Sequence, residues 1–176
     1  ITPTASYEST VWFRFRFEGV WDYAWMVDDV SFSETPDNLV TIDHETFGGW
    51  WIGYQTVGGL GVDYTFNPLE QVLGNPYRFE AVLKNEGVNT QNNVTMHVDV
   101  NESGSSVFTG SSSPVTLYSM SNDTAAITTQ FTPVNMGYHQ INLWGSSDSF
   151  PTTDTIGRGT IVTDTVYGVD FDWSTD

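Results

Sequence analysis

Strict alternation of apolar and polar residues is the feature that most constrains this chain. In "VWFRFRFE", Val11, Phe13, Phe15 and Phe17 fall on one face, and Trp12, Arg14, Arg16 and Glu18 on the other. Side chains two apart share a face only in an extended strand, so this is a half-buried strand. "EGVWDY" supplies turn residues, and "AWMVDDVSF" reads as the partner strand of a hairpin. Further on, "PYRFEAVLKN" puts Tyr77, Phe79, Ala81 and Leu83 on one face, and "NVTMHVDVN" does the same with Val94, Met96, Val98 and Val100. "LVTI", "WWIGYQTV", "VDYTF", "LEQV", "SVFTG", "VTLYSM", "TAAITTQF", "YHQINLWGS" and "GTIVTDTV" read as the remaining strands. "LGNP", "NEGVNTQN" and "NESGSS" between them are turn chemistry. No segment sustains a helical period. An all-β sandwich is expected, with about seven strands in its main region.

"SETPDN" (33–38) is a short polar stretch around Pro36 and marks a boundary. It separates a hairpin at 1–34 from junction strands at 35–61, a sandwich at 62–167 and the start of a further segment at 168–176. A single hairpin is marginal in water. Residues 1–34 must therefore complete a larger domain, pack on the sandwich or be completed by another chain. The chain begins at Ile1, which fits a piece of a longer or processed protein. No apolar run approaches the roughly 20 residues that a membrane-spanning helix needs, so no direct membrane insertion is expected.

Acidic side chains outnumber basic ones by 22 to 5, a formal charge of −17, which repels nucleic acid and anionic lipid and excludes both as partners. The acids are scattered among many aromatics, the mark of a folded domain with an acidic surface. There is no cysteine, so disulfides, zinc–thiolate sites and cysteine nucleophiles are excluded.

Two resemblances follow. "FRFRFEGVWDYAWMVDDVSF" resembles the closing hairpin of jelly-roll domains of the MAM and carbohydrate-binding-module kind. Over roughly residues 60–166, "YRFEAVLKNEGVNTQNNVTMHVDVN", "VTLYSMSNDTAAITTQFTP" and "GYHQINLWGSSD" resemble a CARDB-type immunoglobulin-like domain. The family's "VKNxG" pattern stands here as Val82-Leu83-Lys84-Asn85-Glu86-Gly87, one residue longer. The resemblance implies an immunoglobulin-like antiparallel sandwich, used as a spacer in large exported proteins. The order of jelly roll, CARDB-like module and "DTVYGVD" resembles proteins exported by gliding Gram-negative bacteria through type IX secretion. That implies a secreted, extracellular or outer-surface location and no catalytic residues. Such bacteria attach O-glycans at Asp-(Ser/Thr)-apolar triplets, which makes Thr124, Thr155 and Thr165 candidates. Asn93, Asn101 and Asn122 match N-x-(S/T) but carry less weight in a bacterial protein.

Asp28 and Asp29 interrupt the apolar alternation of their strand, and buried charge needs a partner. In the jelly rolls that the hairpin resembles, an acid of the last strand helps to bind structural calcium, with Asp22, Asp43 and Glu45 as further donors. The plainer reading pairs one acid with Arg14 or Arg16 and lets the other cap a turn. His44, His97 and His139 lie far apart without metal-ligand spacing, and His97 and His139 are expected to face outward. There is no G-x-S-x-G, and no carboxylate pair is singled out. Trp50, Trp51 and Tyr54 in "GGWWIGYQTVGGLG" could stack on a sugar ring. Adjacent strand residues face opposite ways, however, so a junction strand with one ring buried is favoured. The expected function is a non-enzymatic structural or adhesive spacer whose partners are neighbouring domains or subunits. The alternatives are a calcium-dependent carbohydrate-binding module that takes polysaccharide, or an accessory domain of an exported protease or hydrolase.

Overall fold

Alternation becomes two packed sheets. The computed structural model describes residues 34–42, 66–74, 76–166 and 168, with Thr10, Trp12, Arg14 and Arg16 from the N-terminal stretch. The hairpin at 1–34 and the strand "WWIGYQTV" thus lie largely or wholly outside the described residues. The chain divides into two compact units, Ile1–Glu34 and Thr35–Asp176. In the first unit, the described Trp12, Arg14 and Arg16 are exposed.

The second unit opens with β1 (Val40–Ile42). It continues with β2 (Phe66–Pro68) and a six-residue helix, α1 (Leu69–Gly74). Then come β3 (Glu80–Asn85) and β4 (Gln91–Glu102). β5 (Ser105–Ser111), β6 (Val115–Leu117) and β7 (Asn122–Ala126) follow. The last two described strands are β8 (Gly137–Ser146) and β9 (Ile156–Thr163). One sheet has the order β1-β3-β7, and the other β2-β9-β8-β4-β5, with β6 also pairing β4. Among the described strands, pairing is antiparallel except for β2 and β9, which run parallel with Phe66 opposite Ile161. Two sheets with these neighbours form an immunoglobulin-like sandwich.

The core is where the inner faces meet. Tyr77, Phe79, Ala81 and Leu83 come from β3 and its approach, and all are buried. They face Val94, Met96, Val98 and Val100 of β4 and Ile141 and Leu143 of β8, also buried. Each large apolar side chain removed from water contributes about 1.5–3 kcal/mol, and this packing holds the sheets together. Ser103 (φ 50°) and Gly104 (φ 81°) form the two-residue turn between β4 and β5. Positive φ at both central positions matches the twist of a tight hairpin.

Two expectations are corrected. "LEQV" is helical, the first four residues of α1. Leu69 and Val72 lie one turn apart, with Val72 buried and Leu69 packed on the core. Glu70 sits in the first turn, where the helix dipole favours an acid, and Gly74 ends the helix. His139 does not face outward: it is buried at 1% exposure, on the inner face of β8 with Ile141 and Leu143. His97 does lie on the outer face.

Candidate functional site

Two parts of the sandwich concentrate polar side chains with defined partners. The first is a knot where the chain enters. Asn85 ends β3 and is buried at 1% exposure. Its Oδ1 accepts from the Gly87 N–H at 3.0 Å, and its Nδ2 donates to the carbonyls of Asn89 (2.9 Å) and Leu117 (3.0 Å). One carboxamide thus shapes the loop after β3 and fastens it to β6. Gly87 lies so close to the incoming chain that a Cβ would stand 2.7 Å from the Leu39 nitrogen and 2.9 Å from the Asp37 carbonyl oxygen. Residues 36–39 run along this loop, with backbone bonds from Glu86 N to Leu39 O (3.0 Å), Val88 N to Pro36 O (3.0 Å) and Asn89 N to Asp37 O (2.9 Å). Gln91, fully buried, donates to Asn38 Oδ1 (2.9 Å) and accepts from Ser147 Oγ (2.7 Å). The polar stretch at 33–38 is therefore tied to the sandwich over its second half.

The second part is the outer face of the larger sheet, where the strand registers set up a grid. Across one row stand Gly159, Gln140, Asn101 and Ser106; across the next, Gly157, Asn142, Asp99 and Thr109; across a third, Trp144, His97 and Ser111. His97 stacks on Trp144 with ring centroids 5.5 Å apart and planes 25° apart. Its Nδ1 and Nε2 lie 2.9 Å and 2.8 Å from the hydroxyls of Ser111 and Ser146. Burial under these neighbours lowers the imidazole pKa below its usual value, which favours the neutral ring. Asp99 accepts from Asn101 Nδ2 at 2.6 Å and from the Ser106 hydroxyl.

On the inner side, Tyr77 is buried against Phe131, ring centroids 6.0 Å apart, with its hydroxyl 3.4 Å from Thr160 Oγ1. Burial pushes its pKa up to about 12, so the phenol stays neutral. His139 Nδ1 lies 3.1 Å from the Gly137 carbonyl, and Nε2 lies 3.9 Å from Glu102 Oε2.

Of the residues singled out from sequence, Asp28, Asp29, Trp50, Trp51 and Tyr54 lie outside the described residues, as do Asp22, Asp43, His44 and Glu45. Thr124 is exposed on β7, the edge strand of the smaller sheet, opposite Val82. Thr155 is exposed just before β9, and Thr165 is exposed in the bend after it. The three therefore lie on separate elements and form no single site. Among the described residues, no group of three His, Asp or Glu side chains could hold a metal ion. The outer-face grid was missed in the sequence, although its signal was present: Tyr138, Gln140, Asn142 and Trp144 alternate with His139, Ile141 and Leu143.

The fold defines the class: an all-β, immunoglobulin-like sandwich. No family model matches the chain, and no curated protein matches it. Several solved structures are similar in backbone course. The CARDB domain of a Pyrococcus furiosus protein, solved in complex with di-metal ions, has a TM-score of 0.40 and 15% identity, over 77% of this chain and 95% of that one. Beta-glucuronidase from Bacteroides uniformis has a TM-score of 0.47 and 10% identity, over 73% of this chain. The chain spans only 15% of that enzyme's length. The archaeal flagellum of Methanospirillum hungatei has a TM-score of 0.38 and 14% identity, over 76% of this chain and 70% of that one.

Proposed function

We propose that the chain is a non-enzymatic structural or adhesive spacer module of an exported bacterial cell-surface or extracellular-assembly protein. The observation that carries this reading is the fastening of the entering chain. A spacer transmits position only if the segment leading into it is fixed to its body. Here residues 36–39 are held by three backbone hydrogen bonds and by the Gln91–Asn38 amide pair. The strongly acidic composition suits an exposed, soluble module. Type IX export belongs to the same proposal, as do O-glycan at the exposed Thr124, Thr155 and Thr165 and calcium at Asp28 and Asp29.

Limited proteolysis of the native chain tests the spacer reading. Peptide bonds within 36–42 are expected to resist cleavage for as long as the sandwich stays folded. Cleavage there at the rate of an unstructured linker would overturn it. For the additions, native material should exceed the mass of the bare polypeptide, and calcium should raise Tm. A bare mass removes the glycan, and an unmoved Tm removes the metal.

A further inference from the structure

We propose that the outer face of the larger sheet is a glycan-binding platform that takes a neutral, extended polysaccharide along β8, with Tyr138 and Trp144 as its two stacking rings. This deepens the adhesive half of the reading above by giving it a chemical partner, and it rests on that half.

The geometry begins with a ring lying down. A Cβ at Gly159 would stand 2.5–2.9 Å from Tyr138 ring and hydroxyl atoms, so the tyrosine lies across the bare backbone of β9. It is nevertheless 54% exposed. A ring laid against a sheet turns one whole face to solvent, the form in which an aromatic meets the flat C–H face of a sugar. Gln140 leans the same way: a Cβ at Gly157 would be 3.1 Å from its Nε2. The two glycines thus leave a flat surface where side chains would otherwise project.

Along β8 the polar groups run in one direction. The Tyr138 hydroxyl donates to Gln140 Oε1, and Gln140 Nε2 donates to Asn142 Oδ1 at 3.3 Å. Among the described residues, Asn142 Nδ2 and the Trp144 indole N–H have no protein acceptor. Both residues stand on the outer face of β8, and an amide or indole N–H is a donor suited to sugar hydroxyls. Tyr138 and Trp144 are six residues apart on one strand, roughly 20 Å, a span that fits several linked sugar units rather than one.

Charge selects among occupants. The grid contains no lysine or arginine, and both carboxylate oxygens of its one acid, Asp99, already accept hydrogen bonds. With the chain at −17, an anionic polymer is repelled. The two central rows hold only glycine, carboxamide, hydroxyl and carboxylate groups, whereas the buried centre of a protein interface is largely apolar. A neutral glycan fits both facts better than a second copy of the chain.

The test is native affinity electrophoresis of the full chain through gels containing laminarin, xyloglucan or galactomannan, with alginate as the anionic control. At least one neutral polymer should retard the chain, and alginate should not. Tyr138→Ala should weaken retardation at least about tenfold. Gly159→Val, which lifts the ring off the sheet, should do so as well. Trp144→Ala should act likewise, and because its ring also packs on His97, the exposed Tyr138 variant stands as the independent check. Tyr118→Ala, an exposed ring outside the grid, should leave retardation unchanged. Retardation by no neutral polymer overturns the platform, as does retardation that survives Tyr138→Ala. A concentration-dependent dimer abolished by Tyr138→Ala, without glycan retardation, assigns the face to a second copy instead. These failures leave protease resistance at 36–42 untouched, so the platform and the spacer fail separately.

Discussion

Asn85 should be among the most costly polar residues to lose. Asn85→Ala removes three hydrogen bonds of 2.9–3.0 Å and leaves the Gly87 N–H and the Leu117 carbonyl without the side chain they bond, in a buried setting. A net value of about 1 kcal/mol per bond puts the loss near 3 kcal/mol, with abandoned buried groups pushing it upward. For a domain of this size that corresponds to a Tm lower by roughly 10 °C. Urea denaturation followed by tryptophan fluorescence reads the loss as a lower midpoint at unchanged m-value. Asn85→Asp separates donor from acceptor. It keeps an acceptor for Gly87 but turns a carboxylate oxygen toward the carbonyls of Asn89 and Leu117. At neutral pH it should be at least as destabilised as the alanine variant. It should recover on acidification, as the protonated carboxyl regains a donor. A loss below about 1 kcal/mol for Asn85→Ala would refute the reasoning, and so would an aspartate variant milder than the alanine one.

Three further outcomes are expected. Gly87→Ala forces a Cβ against the backbone of 37–39 and should cost about 1–3 kcal/mol. Its loss should add less than fully to that of Asn85→Ala, because both act on one contact; a double-mutant cycle reads the difference. His97 has a lowered pKa when folded, so the unfolded chain takes up the proton first. The stability it contributes is present above about pH 6.5 and is lost as pH falls through the folded pKa. The difference between the wild-type and His97→Gln stability curves over that range measures this, and parallel curves would contradict it. Tyr77, raised to about 12, contributes stability that is fully present below about pH 10 and is lost as pH rises through 12. Tyr77→Phe should flatten this alkaline decline in chemical denaturation, and an unchanged slope would exclude the buried phenol as its source.

The legible parts of the fold were those with a local period. Tyr77, Phe79, Ala81 and Leu83, and then Val94, Met96, Val98 and Val100, are buried as their alternation predicts. The outward position expected for His139 misplaced it in the alternation of its strand. Its parity with Ile141 and Leu143 places it inside, and strand geometry overrides the preference of one imidazole for water. α1 leaves no helical period in the sequence because six residues hold fewer than two turns. The "LKNEG" pattern was visible, but its reason was not. Asn85 is buried because it serves Gly87, Asn89 and Leu117 together, and Leu117 is 32 residues away.

The sequence by itself determined the class of structure and its electrostatic character. A period of two, turn residues between the runs and a charge of −17 are properties of neighbouring residues and of sums, so they survive without a fold. Tertiary structure alone decided which strands became neighbours. Phe66–Pro68 runs parallel to β9, about a hundred residues on, and residues 36–39 dock on a loop fifty residues away. It also decided that Gly157 and Gly159 would lie beside Gln140 and Tyr138 and let them settle flat. Pairings of this kind close long loops whose entropy is recovered only when both sheets bury their inner faces together, and no short window of sequence records that balance.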